Sequence, residues 1–127
     1  MNLVDSSGWL EYFADGPNAS FFAPAIMATD ELIVPTLGIY EVFKRVLQQS
    51  SEGQALQAVA LMQQGRVVEL TAALALSAAI ISTELRLPMA DSIMLAMARS
   101  LDAVFWTQDA DFAQISGVRF IEKKARA

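Results

Sequence analysis

The sequence predicts an α/β domain: a central, mostly parallel sheet with helices on both faces. Short apolar runs recur along the chain at Leu3-Val4, Leu32-Ile33-Val34, Val67-Val68, Val104-Phe105-Trp106 and Val118 to Ile121, the last interrupted by Arg119. Strands that are apolar throughout, rather than alternating, belong in sheets covered on both sides. Longer stretches with helical start and stop signals separate these runs, and parallel strands require such crossovers, right-handed by default. No linker, repeat or low-complexity segment divides the chain, so a single domain over residues 1–127 is expected. A chain of that length buries roughly two-thirds of the surface it exposes when unfolded.

In chain order, strand one (Leu3-Val4) runs into Asp5-Ser6-Ser7, a helix-start signal, and a helix begins over Trp9 to Phe13. Pro17 starts a second helical stretch through about Met27. Strand two (Leu32 to Val34) is ended by Pro35, and Thr36 caps a long helix to about Gln49. A helix from about Glu52 to Gln64 is stopped by Gly65 before strand three at Val67-Val68. An Ala/Leu/Ile/Ser segment spans Ala72 to about Glu84, and Pro88 opens a helix to Leu101 that is apolar nearly all round and therefore expected to be buried. Strand four (Val104 to Trp106), a short helix from Asp109 to about Ile115, and strand five (Val118 to Ile121) follow, before a solvated basic tail from Lys123 to Ala127.

Composition removes most catalytic chemistries. The chain has no Cys and no His. Disulfides, thiolate metal sites, imidazole bases, Ser-His-Asp triads and His-ligated zinc are thereby excluded. Gly38, Gly53 and Gly65 stand alone, so there is no glycine-rich phosphate loop. Met89, Met94 and Met97 lie at helical spacing and read as core or partner surface. Although 54% of residues are apolar, no apolar run approaches the roughly 20 residues of a membrane span, and the N-terminus has no secretory pattern. A soluble, cytoplasmic protein without membrane contact is expected.

Carboxylates, hydroxyls, Lys, Arg and Tyr remain, and the carboxylates are the ones whose positions converge. In open parallel sheets, function collects at the carboxyl ends of the strands. Asp5 closes strand one, Asp109 follows strand four after Thr107-Gln108, and Asp91 lies in the first turn of the buried helix. Each position singly suits helix capping. Together, converging on one sheet edge, they would repel one another unless they shared a cation. The helical wheel places Glu41 differently, among Lys44, Arg45 and Gln48 and opposite a stripe of Ile39, Phe43, Val46 and Leu47, as a surface residue paired with Arg45. Asp111 reads as a solvated helix residue and Thr107 as a turn hydroxyl.

Four blocks carry a resemblance. Val4-Asp5-Ser6-Ser7, Pro35 to Val42, Ala90 to Ala96 and Thr107 to Phe112 are similar, in order and spacing, to the acidic blocks of the PIN domain, most closely the small stand-alone ribonucleases of the VapC toxin type. The resemblance spans essentially the whole chain. It implies an α/β/α sandwich around a parallel sheet, Mg²⁺ or Mn²⁺ dependence, endonucleolytic RNA cleavage, a homodimer, and an antitoxin protein as partner. Carried over, it gives the four acidic positions to Asp5, Glu41, Asp91 and Asp109, with Thr107 as the supporting hydroxyl and Asp111 as an auxiliary acid. Asp5, Asp91 and Asp109 are the expected direct metal ligands. For Glu41 the resemblance overrides the wheel, since a residue in the first turns of a helix can reach past its end.

The net charge of −5 looks wrong for a protein that meets RNA, where a basic footprint is usual. Setting four acids aside at a metal site leaves 10 acids against 9 bases, a nearly neutral remainder. Two alternatives come from other classes. A catalytically silent PIN-like scaffold binding RNA or protein is opposed by the intact acids. A receiver-type signalling domain needs an Asp at the end of strand three, where this chain has Glu69-Leu70-Thr71.

Overall fold

A computed structural model describes residues 1–125. Five strands, β1 (Asn2–Val4), β2 (Leu32–Pro35), β3 (Arg66–Val68), β4 (Val104–Thr107) and β5 (Val118–Phe120), form one sheet in the order β3-β2-β1-β4-β5. Every neighbouring pair is parallel, with Leu3 aligned to both Ile33 and Phe105. The helices are α1 (Ser6–Phe13), α2 (Ala19–Met27), α3 (Thr36–Gln49), α4 (Glu52–Met62), α5 (Ala72–Leu85) and α6 (Met89–Ser100), with 3₁₀ turns at Thr29–Glu31 and Ala110–Phe112. The family of layers expected from the sequence, an α/β/α sandwich, is what forms.

Strand alternation divides the core in two. Leu3, Ile33 and Phe105 face α5 and α6, where Ile93, Met94, Leu95 and Met97 complete one cluster. Val4, Leu32, Val34 and Trp106 face the other way, against Trp9, Phe22, Val42, Ala58 and Met62 from α1 to α4. Each fully buried large side chain stabilises by roughly 1.5–3 kcal/mol through area removed from water. The helix α6 is buried from Ser92 through Ala98, as its apolar circumference requires.

The sheet order sets the site. Strands run outward from β1 to β2 and β3, and the chain then crosses to the other side of β1 for β4 and β5. The reversal leaves a crevice between the carboxyl ends of β1 and β4, where open α/β sheets bind ligands.

Several local expectations are corrected. Thr36 does not cap α3; Pro35 occupies that position without a side-chain bond, and Thr36 is already helical. The second helix starts at Ala19 rather than Pro17, with Asn18 at the N-cap position and its side chain bonded to Gln108 instead of to the helix. The stretch after Asp109 shortens to a 3₁₀ turn. On α3 the buried positions are Gly38 and Val42, with Ile39 and Val46 beside them, while Leu47 is 44% exposed. The apolar face is therefore rotated from the assumed stripe and brings Glu41 to its edge. Gly65 is required by a close approach, since a Cβ there would lie 2.9 Å from Val34 Cγ2 and 3.0 Å from the Leu32 carbonyl oxygen. Of the basic tail, 126–127 lie outside the described residues.

Candidate active site

Asp5 follows the last residue of β1 and is itself the N-cap of α1, so one carboxylate serves two elements. Its Oδ1 accepts from the backbone N–H of Gly8 at 2.9 Å and from Ser7 Oγ at 2.7 Å. Its Oδ2 accepts from Thr107 Oγ1 at 2.5 Å. Thr107 ends β4, has no exposed surface, and its hydroxyl accepts from the Asp109 N–H at 2.9 Å. The parallel β1–β4 pair thus places both strand-end acids around one hydroxyl. Capping and a place in the acidic site are compatible for Asp5; the sequence alone had set them against each other.

Asp91 enters from the first turn of α6, where Pro88 is the N-cap and no side chain caps the helix. A carboxylate oxygen from each of Asp91, Asp109 and Asp111 lies within 4.8 Å of the others. Among the described residues no ion pair reaches any of these acids. Burial, then the charges of Asp109, Asp5, Glu41 and Asp111, push the Asp91 carboxyl up to about 7. Burial also raises Asp5, to about 6, against the hydrogen bonds from Thr107, Ser7 and Gly8; the Asp109 charge adds to the rise. The structure thus brings Asp5, Glu41, Asp109 and Asp111 close enough to Asp91 for their charges to bear on it.

Glu41 does not pair with Arg45 as its wheel position suggested. Its Oε1 accepts from Ser6 Oγ at 2.7 Å, which ties α3 to the start of α1 beside Asp5. A residue in the second turn of α3 reaches the crevice because α3 begins at Thr36, directly after the end of β2 at Pro35.

Four polar residues were not singled out from the sequence. Ser6 and Ser7 stood as a helix-start signal and as neighbours of Asp5 in the first acidic block, with no role of their own, yet each donates to a site carboxylate. Gln108, 6% exposed, donates through Nε2 to the Ser7 carbonyl at 3.4 Å. Asn18, 1% exposed, donates through Nδ2 to Gln108 Oε1 and to the Glu122 carbonyl, both at 3.0 Å. Polar residues next to strand-end acids are the signal that finds Ser7 and Gln108. Asn18, remote in sequence, offered none.

The donor set is oxygen only, clustered and uncompensated, which suits a hard divalent cation and not a soft one. Direct sequence comparison with curated proteins finds no match. Solved structures are similar in fold. A toxin-antitoxin complex from Klebsiella pneumoniae aligns with a TM-score of 0.79 at 20% identity, covering 94% of this chain and 96% of that one. VapC20 of Mycobacterium tuberculosis, a sarcin-ricin loop cleaving toxin, aligns with a TM-score of 0.74 at 17% identity over 91% of this chain and 95% of its own. DNA-bound VapBC from Salmonella typhimurium gives 0.74 at 16% identity, with 96% and 98% covered. The model of the PIN domain family matches residues 3–118, nearly the whole chain, and with the all-parallel sheet and the acids at its switch point this protein belongs to the PIN domain family.

Proposed function

We propose that this PIN domain is a metal-dependent endoribonuclease acting as the toxin of a toxin-antitoxin pair. The observation that carries the reading is the approach of Asp91, Asp109 and Asp111 within 4.8 Å, with Asp5 and Glu41 close enough to raise Asp91 and no cation among the described residues to balance them. Such repulsion is costly in an empty site and favourable in one that binds Mg²⁺ or Mn²⁺. When bound, the cation lowers the pKa of a water and neutralises charge on the scissile phosphate.

The side chains divide the remaining work. Asp91, Asp109 and Asp111 would hold the ion. Asp5, expected as a direct ligand from the sequence, already accepts three hydrogen bonds, so of its roughly four lone-pair sites one is left to join them. Glu41, fixed by Ser6, orients the attacking water. Thr107 holds Asp5 and the backbone of Asp109 in register.

The toxin role rests on the fold shared with a toxin-antitoxin complex and with VapC20. The same reading gives a homodimer and an antitoxin partner, and α5 offers surface for one of them: Leu76 and Ile80 are 69% and 60% exposed on a helix whose only charged residue is Glu84. Cleavage of single-stranded RNA by the purified protein, dependent on added Mg²⁺ or Mn²⁺ and abolished by EDTA, is the expected result; cleavage that persists in EDTA overturns the reading.

A further inference from the structure

An anionic substrate cannot be held by acids alone, and the bases nearest the cluster are few. A groove of about 690 Å³ leads away from the site across α1, α3 and α4. Its inner end is formed by Ser7 and Gln108, and Ser7 Oγ donates to Asp5 at 2.7 Å. Its lining includes Arg45 and Lys123, neither of which makes an ion pair among the described residues. Arg45 also lines a smaller cleft of about 310 Å³ that contains Glu41 and Lys44, so this one side chain borders both the groove and Glu41.

The lining is chemically mixed in a way that suits an unpaired strand. Phe13 presents a partly exposed ring, held by stacking on Trp9 at 5.6 Å between centroids. Gln49, Gln54 and Gln57 supply both donors and acceptors to base edges. Glu11, the acid in the lining, is turned onto the protein, where Oε2 accepts from the Asn18 N–H at 2.8 Å. Cations along an edge, an aromatic platform and amide groups are the elements by which proteins hold single-stranded nucleic acid.

We infer that this groove carries the single-stranded RNA on one side of the scissile phosphate, with Arg45 and Lys123 taking backbone phosphates. The inference rests on the ribonuclease reading and names where its substrate lies. Gln108 then does two things, since it walls the groove and bonds the residue that bonds Asp5. Strand occupancy and the position of the Asp5 carboxylate are coupled through it.

The test is fluorescence anisotropy with a short labelled single-stranded oligoribonucleotide and the full chain in EDTA, where no cleavage occurs. The double variant Arg45→Gln/Lys123→Gln should bind about tenfold more weakly, with the salt dependence of log K reduced by about 1.4, the value for two lost contacts to a single strand. Arg45→Lys/Lys123→Arg should bind like wild type. Arg66→Gln, which removes one charge at the amino end of the edge strand β3, should change little. Wild-type affinity and salt slope in the Gln double variant would overturn the inference, including the case in which that variant loses affinity only for a protein partner. Failure of the ribonuclease reading looks different: wild type then shows no Mn²⁺-dependent cleavage. Cleavage by wild type with an unchanged KM in the double variant sinks the groove alone.

Discussion

The Thr107 hydroxyl donates to Asp5 Oδ2 at 2.5 Å while accepting from the Asp109 N–H at 2.9 Å, so one buried oxygen joins the ends of β1 and β4. Thr107→Val keeps the shape and leaves both partners unsatisfied, at a cost of about 1–3 kcal/mol. The bond from Thr107 is the largest effect opposing the rise of Asp5, so its loss also moves that carboxyl further up. Urea melts should show the destabilisation and cleavage should fall, while Thr107→Ser retains both. A Val variant with wild-type stability and rate would remove Thr107 from the site.

A pH dependence of stability follows from the two raised carboxyls. The folded-state values, about 6 for Asp5 and about 7 for Asp91, lie above the ordinary 3.8. The native state therefore binds more protons than the unfolded chain between these limits, and stability falls as pH rises. Their contribution is fully present below the ordinary value and lost as pH passes through about 6 and 7. In EDTA, melting temperature should be higher near pH 5 than near pH 8, opposite to a protein whose carboxylates are salt-bridged. Saturating Mn²⁺ should flatten or invert the trend, because the ion competes with those protons. A metal-free protein that gains stability between those two pH values would show that these carboxyls are neither desolvated nor crowded by one another.

Glu41 shows where the sequence stopped being legible and why. The strands and the acids at strand ends follow from period and position, because parallel strands are mostly apolar and their carboxyl ends form a crevice. Asp5 and Asp109 could be found that way, and Asp91 by its place on a helix too apolar to be exposed. The azimuth of Glu41 depends instead on which side of α3 packs, and the buried set is Gly38 and Val42 rather than Phe43 and Leu47. Only the resemblance to PIN domains supplied it. Asn18 and Gln108 meet across 90 residues, and no local pattern records such a pairing.

If Glu41 orients the nucleophile, Glu41→Gln should keep the Ser6 hydrogen bond through its amide oxygen and lose charge alone. Stability should change by less than about 0.5 kcal/mol, as for other surface-edge substitutions. The rate should drop by about 10²-fold or more, the usual scale for a positioned catalytic group. Parallel melting and cleavage assays check it. Loss of less than a few-fold in rate would return Glu41 to the surface role its wheel position suggested.

Gly8 lies in the first turn of α1, under the site. A Cβ there would meet Val4 Cγ1 at 2.6 Å and the Phe22 ring at 2.7 Å, in the core shared by α1, α2 and β1. Gly8→Ala normally favours a helix, by roughly 0.5–1 kcal/mol. Here overpacking opposes that gain at a typical 1–3 kcal/mol, so net destabilisation is expected. Because the Gly8 N–H also donates to Asp5, cleavage should fall with it. A stabilised variant in chemical denaturation would contradict the packing at this turn.

The decisive experiment separates a metal site from a set of helix caps by stability rather than activity. Asp91 lies in the first turn of α6, where a carboxylate could act by dipole compensation, yet no side chain caps that helix. If Asp91 were merely a favourable first-turn residue, Asp91→Asn should be neutral or slightly destabilising in EDTA and should leave any metal-induced shift unchanged. The cluster geometry requires otherwise. At about pH 8, above the raised value of about 7, wild-type Asp91 is charged beside Asp109 and Asp111, so its neutralisation should stabilise the metal-free fold by about 1 kcal/mol, the scale of one pKa unit. Near pH 5 the wild-type carboxyl is already protonated, and the gap should close. Added Mn²⁺ should reverse the order, because a ligand bound only by the native state stabilises by about 2.7 kcal/mol at a hundredfold excess over Kd. The variant, with one donor fewer, gains much less. Four melting curves at the higher pH, wild type and Asp91→Asn each with EDTA and with Mn²⁺, decide the matter. Equal melting temperatures in EDTA together with equal shifts in Mn²⁺ would make Asp91 a helix-end residue and remove the metal from the proposed chemistry.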